Sequence, residues 1–364
     1  MSRTVAVLGT GLIGGSIGLA ARAHDPELAV VGFDVDPTSA RGALARGAVG
    51  TIASSAEDAV ADAEFVVLAP PVDRIPDLCR RLAGRVPPGA VVTDVGSTKE
   101  EVVREGVASF GDRFVGGHPM AGSERHGIDA ADATLFLDAW WILTPTATTS
   151  ARAYARVTDL VGMTGAKPVA LEPAVHDALV ARLSHVPQLA ASAIVDTVVA
   201  TGDRDALLGL AGAGFRDVTR IAASNPDLWV AIVRSNSRSV LEGLRTLEDR
   251  LEDVVAMVDD GRWDDLRDFL GRARTARLEL FAKPDYGGEP IALTMMIPDR
   301  PGVLAEVTTA AGGLGVNIED LRIIHSTEGG QGRLELIVAG ADAADALQAR
   351  LVGLGYHVFR PAVD

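Results

Sequence analysis

The string Gly9-Thr10-Gly11-Leu12-Ile13-Gly14 constrains this chain more than any other feature in it. It follows the short apolar run 4–8 and opens a helical stretch over residues 12–23. A glycine first permits a tight turn after a strand. A second, two residues on, lets backbone approach a pyrophosphate, and a third, three further on, lets helix and strand pack closely. The helix N-terminus then faces the negative phosphates. The same stretch faintly imitates a secretion signal, with Arg3, an apolar run, Ala21 and Ala23. A strand–turn–helix explains the glycine spacing better.

A second apolar strand, 29–33, ends at Asp34, 20 residues after Gly14. A carboxylate there accepts hydrogen bonds from ribose hydroxyls and repels a 2′-phosphate, which favours NAD over NADP. Asp36 and Arg41 lie nearby, and Arg41 keeps NADP open. The candidate cofactor contacts are Gly9, Gly11, Leu12, Ile13 and Gly14, with Asp34 and Pro70 at later strand ends.

Further strands are predicted at 64–69, 90–93, 113–116, 140–144 and 167–170, with helices at 37–46, 75–82 and 98–110 between them. Alternating strand and helix signals imply a parallel sheet with helices on both faces. This Rossmann-type α/β domain spans residues 1–171. From Glu172 helical periodicity replaces strand signals, and an all-α domain spans 172–282. Val240, Leu244, Leu247, Leu251, Val254 and Val258 recur at spacings of four and three, Gly261 ends that helix, and Phe269, Ala273, Ala276 and Leu280 continue the spacing. Such a seam suits either burial within the domain or a subunit interface, and a homodimer is the favoured reading. Residues 283–290 (KPDYGGEP) form a linker. Residues 291–364 read β-α-β-β-α-β, the split ferredoxin-like α+β plan.

The length of 364 residues suits two or three domains, and 48% apolar content allows a large core. Net charge is −15 without a basic cluster, which disfavours nucleic acid and anionic membranes as partners. The one cysteine, Cys79, excludes an intrachain disulfide and fits a reducing cytoplasm. No stretch free of charge is long enough to span a bilayer.

Three segments carry chemistry. They are Asp94-Val95-Gly96-Ser97-Thr98-Lys99 at the end of an inner strand, Gly117-His118-Pro119-Met120-Ala121-Gly122-Ser123-Glu124, and 214–222, which holds Arg216 and Arg220, with Trp229 beyond. Strand-end loops on such a sheet point towards the nicotinamide. A histidine there can take a proton from a hydroxyl as hydride leaves the same carbon. An arginine from the helical domain can hold a carboxylate with two parallel hydrogen bonds.

Each residue also has a plainer role open to it. His118 could be satisfied by backbone in its loop. Arg220 could pair with Asp217, and His185 could be a buried structural histidine. His176 and Asp177 read equally as a helix cap or a pocket edge. Lys99 reads as a substrate or phosphate contact or as a first-turn surface lysine. His126 reads as a solvated loop residue. No Cys or His pair sits at ligand spacing with a carboxylate, so no metal site is expected.

The amino-terminal domain, the His118-Pro119-Met120-Ala121-Gly122 loop, the Ser184-His185-Val186-Pro187 segment and the arginine-to-tryptophan stretch resemble prephenate and arogenate dehydrogenases over residues 4–282. Asp299-Arg300-Pro301-Gly302-Val303-Leu304 and Gly315-Val316-Asn317-Ile318 resemble an ACT domain, an amino-acid-sensing module. The first resemblance implies oxidative decarboxylation with NAD of a cyclohexadienol, prephenate or its amino analogue arogenate, on the route to tyrosine. His118 takes the hydroxyl proton. Ser97 orients His118 and touches the nicotinamide, and Arg220 binds a substrate carboxylate. Ser123, Glu124, Ser184 and His185 line the pocket, and Trp229 reaches a neighbouring subunit's site. Where some members carry a second histidine, this chain has Gln188, which leaves the choice between prephenate and arogenate open. The second resemblance implies an aromatic amino acid effector, tyrosine first, held at 299–304 and at Asn317 and Ile318, that slows the enzyme.

Two rival functions stand beside this reading. A 3-hydroxyacid dehydrogenase would need a lysine in the helical domain, and none lies between Glu172 and Ala282. A non-catalytic nicotinamide sensor would need neither His118 with Ser97 nor Arg220.

Overall fold

The computed structural model describes residues 3–121, 126–200, 211–280, 288–298, 302–325 and 331–360, without the side chains of 322–325 and 331. The chain divides into two compact units, Met1–Val255 and Ala256–Asp364.

The first unit is built on an eight-stranded sheet of order β3-β2-β1-β4-β5-β6-β7-β8. The strands are β1 (Thr4–Leu8), β2 (Ala29–Phe33), β3 (Thr51–Ile52), β4 (Phe65–Leu68), β5 (Val91–Asp94), β6 (Phe114–Pro119), β7 (Trp140–Thr144) and β8 (Lys167–Ala170). Val5, Ala6, Val7 and Leu8 are each at most 1% exposed, because helices cover both faces. Val5 and Val7 join the cluster containing Ile17 of α1 (Leu12–His24) and Leu160 of α6 (Ala151–Met163). Ala6 and Leu8 join the opposite one, with Leu82 of α4 (Ile75–Leu82) and Val103 of α5 (Glu100–Phe110). The chain reverses direction across the sheet at β1, with β2 on one side and β4 on the other. A crevice at the carboxyl ends is the usual consequence, and it positions the site.

One feature departs from the all-parallel expectation. β6 and β7 pair antiparallel, Gly116 opposite Thr144 and His118 opposite Ile142. The described part of their connection holds only the 3₁₀ turn Ile128–Ala130 and no crossover helix, so the strand returns as in a hairpin.

The helical part follows with α7 (Pro173–Val180), a π-helical turn (Ala181–His185) and α8 (Val186–Ala200). Pro173 starts α7 at a position where its missing N–H costs nothing. The run Pro173–Ala200 is long and apolar enough to cross a membrane by length and composition. Its polar residues His176, Asp177, His185 and Gln188 are buried within the protein. Then come α9 (Ala213–Thr219), a 3₁₀ turn (Arg220–Ala223), α10 (Pro226–Ser235), α11 (Ser237–Asp259) and α12 (Trp263–Leu280). Asn225 caps α10 through Asp227 N–H, and Gly261 at φ +68° breaks the chain after α11. Val240 of the α11 seam is buried, whereas Leu251 and Val258 are 57% and 50% exposed.

The carboxyl-terminal residues form a four-stranded antiparallel sheet of order β10-β11-β9-β12. Its strands are β9 (Pro290–Pro298), β10 (Ile318–His325), β11 (Gln331–Ala339) and β12 (Val358–Phe359). α13 (Val303–Gly313) and α14 (Ala341–Gly353) complete a β-α-β-β-α-β order. Alternate residues Leu293, Met295, Leu334 and Leu336 bury against Val307, Ala311, Leu347 and Leu351. Burial of each large side chain contributes about 1.5–3 kcal/mol.

Candidate active site

The glycine turn has the geometry that its spacing requires. Gly9 sits at φ +98°, and a Cβ there would stand 2.5 Å from the Ala69 carbonyl carbon, beside Pro70. A Cβ on Gly14 would stand 1.9 Å from the Gly9 carbonyl oxygen, so only glycine lets α1 pack on the turn. A Cβ on Gly11 would meet nothing within 4 Å. Its backbone faces open space, and no side chain caps the first turn of α1. Leu12 and Ile13 are half-buried in that turn. The residues therefore fit a pyrophosphate at a free helix N-terminus.

Asp34, at the end of β2, is fixed by backbone. Its Oδ2 accepts from Thr10 N–H at 2.7 Å and from the Thr10 hydroxyl at 3.2 Å, and Oδ1 accepts from Asp36 N–H at 2.9 Å. Asp36 in turn caps α2 (Pro37–Ala45) through Thr38 N–H. Arg41 is exposed and donates to the Thr38 hydroxyl.

β5 and β6 end side by side, so their last residues share one buried network. Lys99 is fully buried, neither a surface residue nor an open substrate contact. Its ammonium donates to Asp94 Oδ2 and, at 2.7 Å, to the carbonyl of Gly117. Asp94 also accepts from Gly96 N–H at 2.7 Å and Gly117 N–H at 3.0 Å. Burial lowers the Lys99 pKa, and Asp94 opposes that.

His118, the residue after Gly117, is half-buried, with its Nδ1 2.8 Å from Nε2 of His176. His176 Nδ1 lies 2.8 Å from Asp177 Oδ1. Asp177 further accepts from Lys99 N–H at 2.7 Å and Glu100 N–H at 2.9 Å. His118 is held well below the ordinary histidine range, first by burial and then by His176, Lys99 and His185. Burial lowers His176 as well, against its hydrogen bond to Asp177. His185 is pushed down to about 4, chiefly by burial, with Asp177 opposing. Asn236 Nδ2 donates to the carbonyl of Asp177 at 2.8 Å and lies 3.3 Å from His185 Nδ1.

The placements differ in part from expectation. Among the described residues, Ser97 makes no hydrogen bond to His118. The short turn after β5 leaves Ser97 half-buried, and His176 takes the imidazole instead. Trp229 stands edge-on to His185 of its own chain, 5.9 Å between ring centroids, because α10 packs back on the turn at Val72–Arg74. Ser184 and His185 lie in the π-helical turn, a distortion common where a helix carries function. Gln188 is 4% exposed, and its side-chain amide has no hydrogen-bond partner among the described residues. Arg216 and Arg220 are exposed on the segment that packs against α8. Ser123 and Glu124 lie outside the described residues, as do Asp299, Arg300 and Pro301.

Two family models match consecutive stretches. One is described as prephenate dehydrogenase, nucleotide-binding domain, over residues 17–170. The other is described as prephenate dehydrogenase, dimerization domain, over 172–272. A prephenate dehydrogenase of Bacillus subtilis is 32% identical over 96% of this chain and 97% of its own length. The chain belongs to the prephenate dehydrogenase family. Its Rossmann-like α/β domain and helical domain are those of that family. The crystal structure of the prephenate dehydrogenase of A. aeolicus, in complex with hydroxyphenyl propionate and NAD+, superposes with a TM-score of 0.72 at 29% identity. It covers 77% of this chain and 99% of that one. A Synechocystis arogenate dehydrogenase gives 0.68 at 28% identity, covering 76% and 99%.

The sequence left His176 and Asp177 open between a helix cap and a pocket edge, and the structure places them beside His118. The adjacent His-Asp pair at a helix start was visible, but nothing local showed that the helix docks against the end of β5.

Proposed function

We propose that the chain is an NAD-dependent prephenate dehydrogenase, converting prephenate to 4-hydroxyphenylpyruvate and CO2 in tyrosine biosynthesis. One observation carries the reading. His118 stands at the carboxyl edge of a nucleotide-binding sheet with Nδ1 engaged, leaving Nε2 for a substrate hydroxyl. NAD, when bound, supplies the hydride acceptor. The open backbone at Gly11 and the fixed carboxylate of Asp34 support that cofactor. The His118 imidazole takes the hydroxyl proton. The ring carboxylate leaves as CO2, its bonding pair enters the ring, and the resulting phenolate recovers a proton. Arg220, with Arg216 one turn before it, binds a substrate carboxylate. Ser97 lies on the nicotinamide side, and Ser123, Glu124, Ser184, His185 and Trp229 line the pocket.

The likeness to an arogenate dehydrogenase favours one second reading, arogenate as substrate and tyrosine as product. Gln188, a buried residue whose amide has no hydrogen-bond partner among the described residues, supports a contact with the substrate side chain, where keto and amino acids differ.

The carboxyl-terminal sheet order and the β-α-β-β-α-β sequence support a ferredoxin-like ACT domain. Gly302 at φ +91° caps α13, with Val303 buried, Leu304 exposed, Asn317 exposed and Ile318 packed on the sheet core. An aromatic amino acid, tyrosine first, binds there and slows turnover. Calorimetric titration with tyrosine, phenylalanine and tryptophan checks this. The exposed Leu251 and Val258 support a homodimer through α11, which sedimentation measures. A single buried thiol, raised to about 12 by burial at Cys79, suits a reducing cytoplasm.

Replacing His118 by Asn tests the assignment. Turnover should fall by at least about 10²-fold with NAD binding intact. Retained turnover would remove His118 from the chemistry.

A further inference from the structure

Given the reading of His118 as the base, we infer that His176 and Asp177 are its positioning residues. They form a buried relay that fixes the lone pair on His118 Nε2 and shares the charge when the substrate proton arrives.

The hydrogen-bond directions follow from Asp177. Its carboxylate accepts from the backbone N–H groups of Lys99 and Glu100 and stands 2.8 Å from His176 Nδ1. A carboxylate only accepts, so His176 carries its proton on Nδ1. Its bare Nε2 then accepts, and the donor 2.8 Å away is His118 Nδ1–H. The lone pair of neutral His118 therefore sits on Nε2, and one hydrogen-bond direction propagates through three residues.

The burial pattern supports a role beyond packing. His176 is fully buried, and among the described residues the polar contacts of its ring run to His118 and Asp177. Capping the Lys99 and Glu100 amides requires Asp177 but no histidine beside it. When the substrate O–H bond breaks, its proton joins Nε2 and the bonding pair stays on oxygen as hydride leaves carbon for NAD. His118 becomes an imidazolium beside the Lys99 ammonium, with His185 also near. His176 would add to that field if it were charged, but burial lowers its pKa and keeps it neutral, so its bare Nε2, backed by Asp177, offsets the field as an acceptor, and Asp94 neutralises Lys99 from behind. The principle is that of a base oriented by a third group.

The test compares wild type with His176→Leu, His176→Gln, Asp177→Asn and His118→Asn. It reads kcat, KM for NAD and substrate, and the pH dependence of kcat/KM. With His176→Leu, kcat should fall about 10²-fold at unchanged KM for NAD. The acid limb should move to lower pH, because the imidazolium has lost its acceptor. His176→Gln, whose amide oxygen can accept from Nδ1–H, should recover activity to within about 10-fold of wild type. Asp177→Asn should reproduce the limb shift. If His176→Leu lacks a cooperative thermal transition, Asp177→Asn decides, and a wild-type acid limb in that variant overturns the relay. A wild-type kcat and limb in a folded His176→Leu, beside an inactive His118→Asn, also overturns it. An active His118→Asn overturns the reading of the base itself, and the relay with it.

Discussion

Asp177, on the first helix after the nucleotide-binding sheet, accepts hydrogen bonds from the backbone N–H groups of Lys99, at the end of the turn following β5, and of Glu100. One carboxylate thus caps α5 from outside and pins the helical domain against the loop that carries the chemistry. The side chain of Lys99 runs the other way, to Asp94 and the carbonyl before His118. The base is thereby held from two directions by one residue's backbone and side chain.

Lys99→Met should be strongly destabilising. It leaves the Asp94 carboxylate buried without its cation, a loss of about 3–5 kcal/mol. Thermal unfolding should show a lowered first transition. A Tm within error of wild type would mean that the two glycine amides suffice to hold Asp94.

The glycine turn predicts opposite outcomes at two neighbouring positions. Gly14→Ala places a methyl group 1.9 Å from the Gly9 carbonyl, so it should lower Tm and express poorly. Gly11→Ala meets no protein atom, so Tm should hold while the Kd for NAD rises at least about 10-fold, roughly 1.4 kcal/mol. Equal effects on stability would break the link between Gly11 and the ligand.

The buried histidines give a signed pH dependence. The folded-state pKa of His185 is about 4 against an ordinary 6.5. The unfolded chain therefore binds its proton first as pH falls. The stabilisation is complete above 6.5, declines below it and is gone near 4, a loss on the order of 3 kcal/mol. His118 and His176 act in the same direction. Tm should thus drop on acidification over that window, and a His185→Gln variant should drop less. Activity carries a related sign. A base held below the ordinary range stays unprotonated at neutral pH, so kcat/KM should be flat there and fall only in acid.

Local patterns carried much of the fold. The runs at β1, β2 and β4 read as buried strands because both faces are covered, and the heptad-like spacing from Val240 marked α11. The edge strand β3, two residues long, and the five-residue helix α3 (Ala56–Val60) carry too few residues for a periodic signal. The antiparallel turn of β7 depends on a connection without a helix, which alternation does not reveal. In the site, Gly9, Gly14, Asp34 and His118 were legible because their chemistry is local to a turn or strand end. Lys99 and His176 were not. Their burial comes from contacts across dozens of residues, and a polar residue at a helix start gives the same local signal whether it faces water or a second domain.

The most direct measurement follows NADH absorbance with prephenate and with arogenate, each with NAD and with NADP, plus and minus tyrosine. Rapid NADH formation with prephenate and NAD, release of CO2, and slowing by tyrosine are expected. Absence of NADH with either substrate would contradict this assignment, leaving a nucleotide-binding fold whose His118 serves some other reaction.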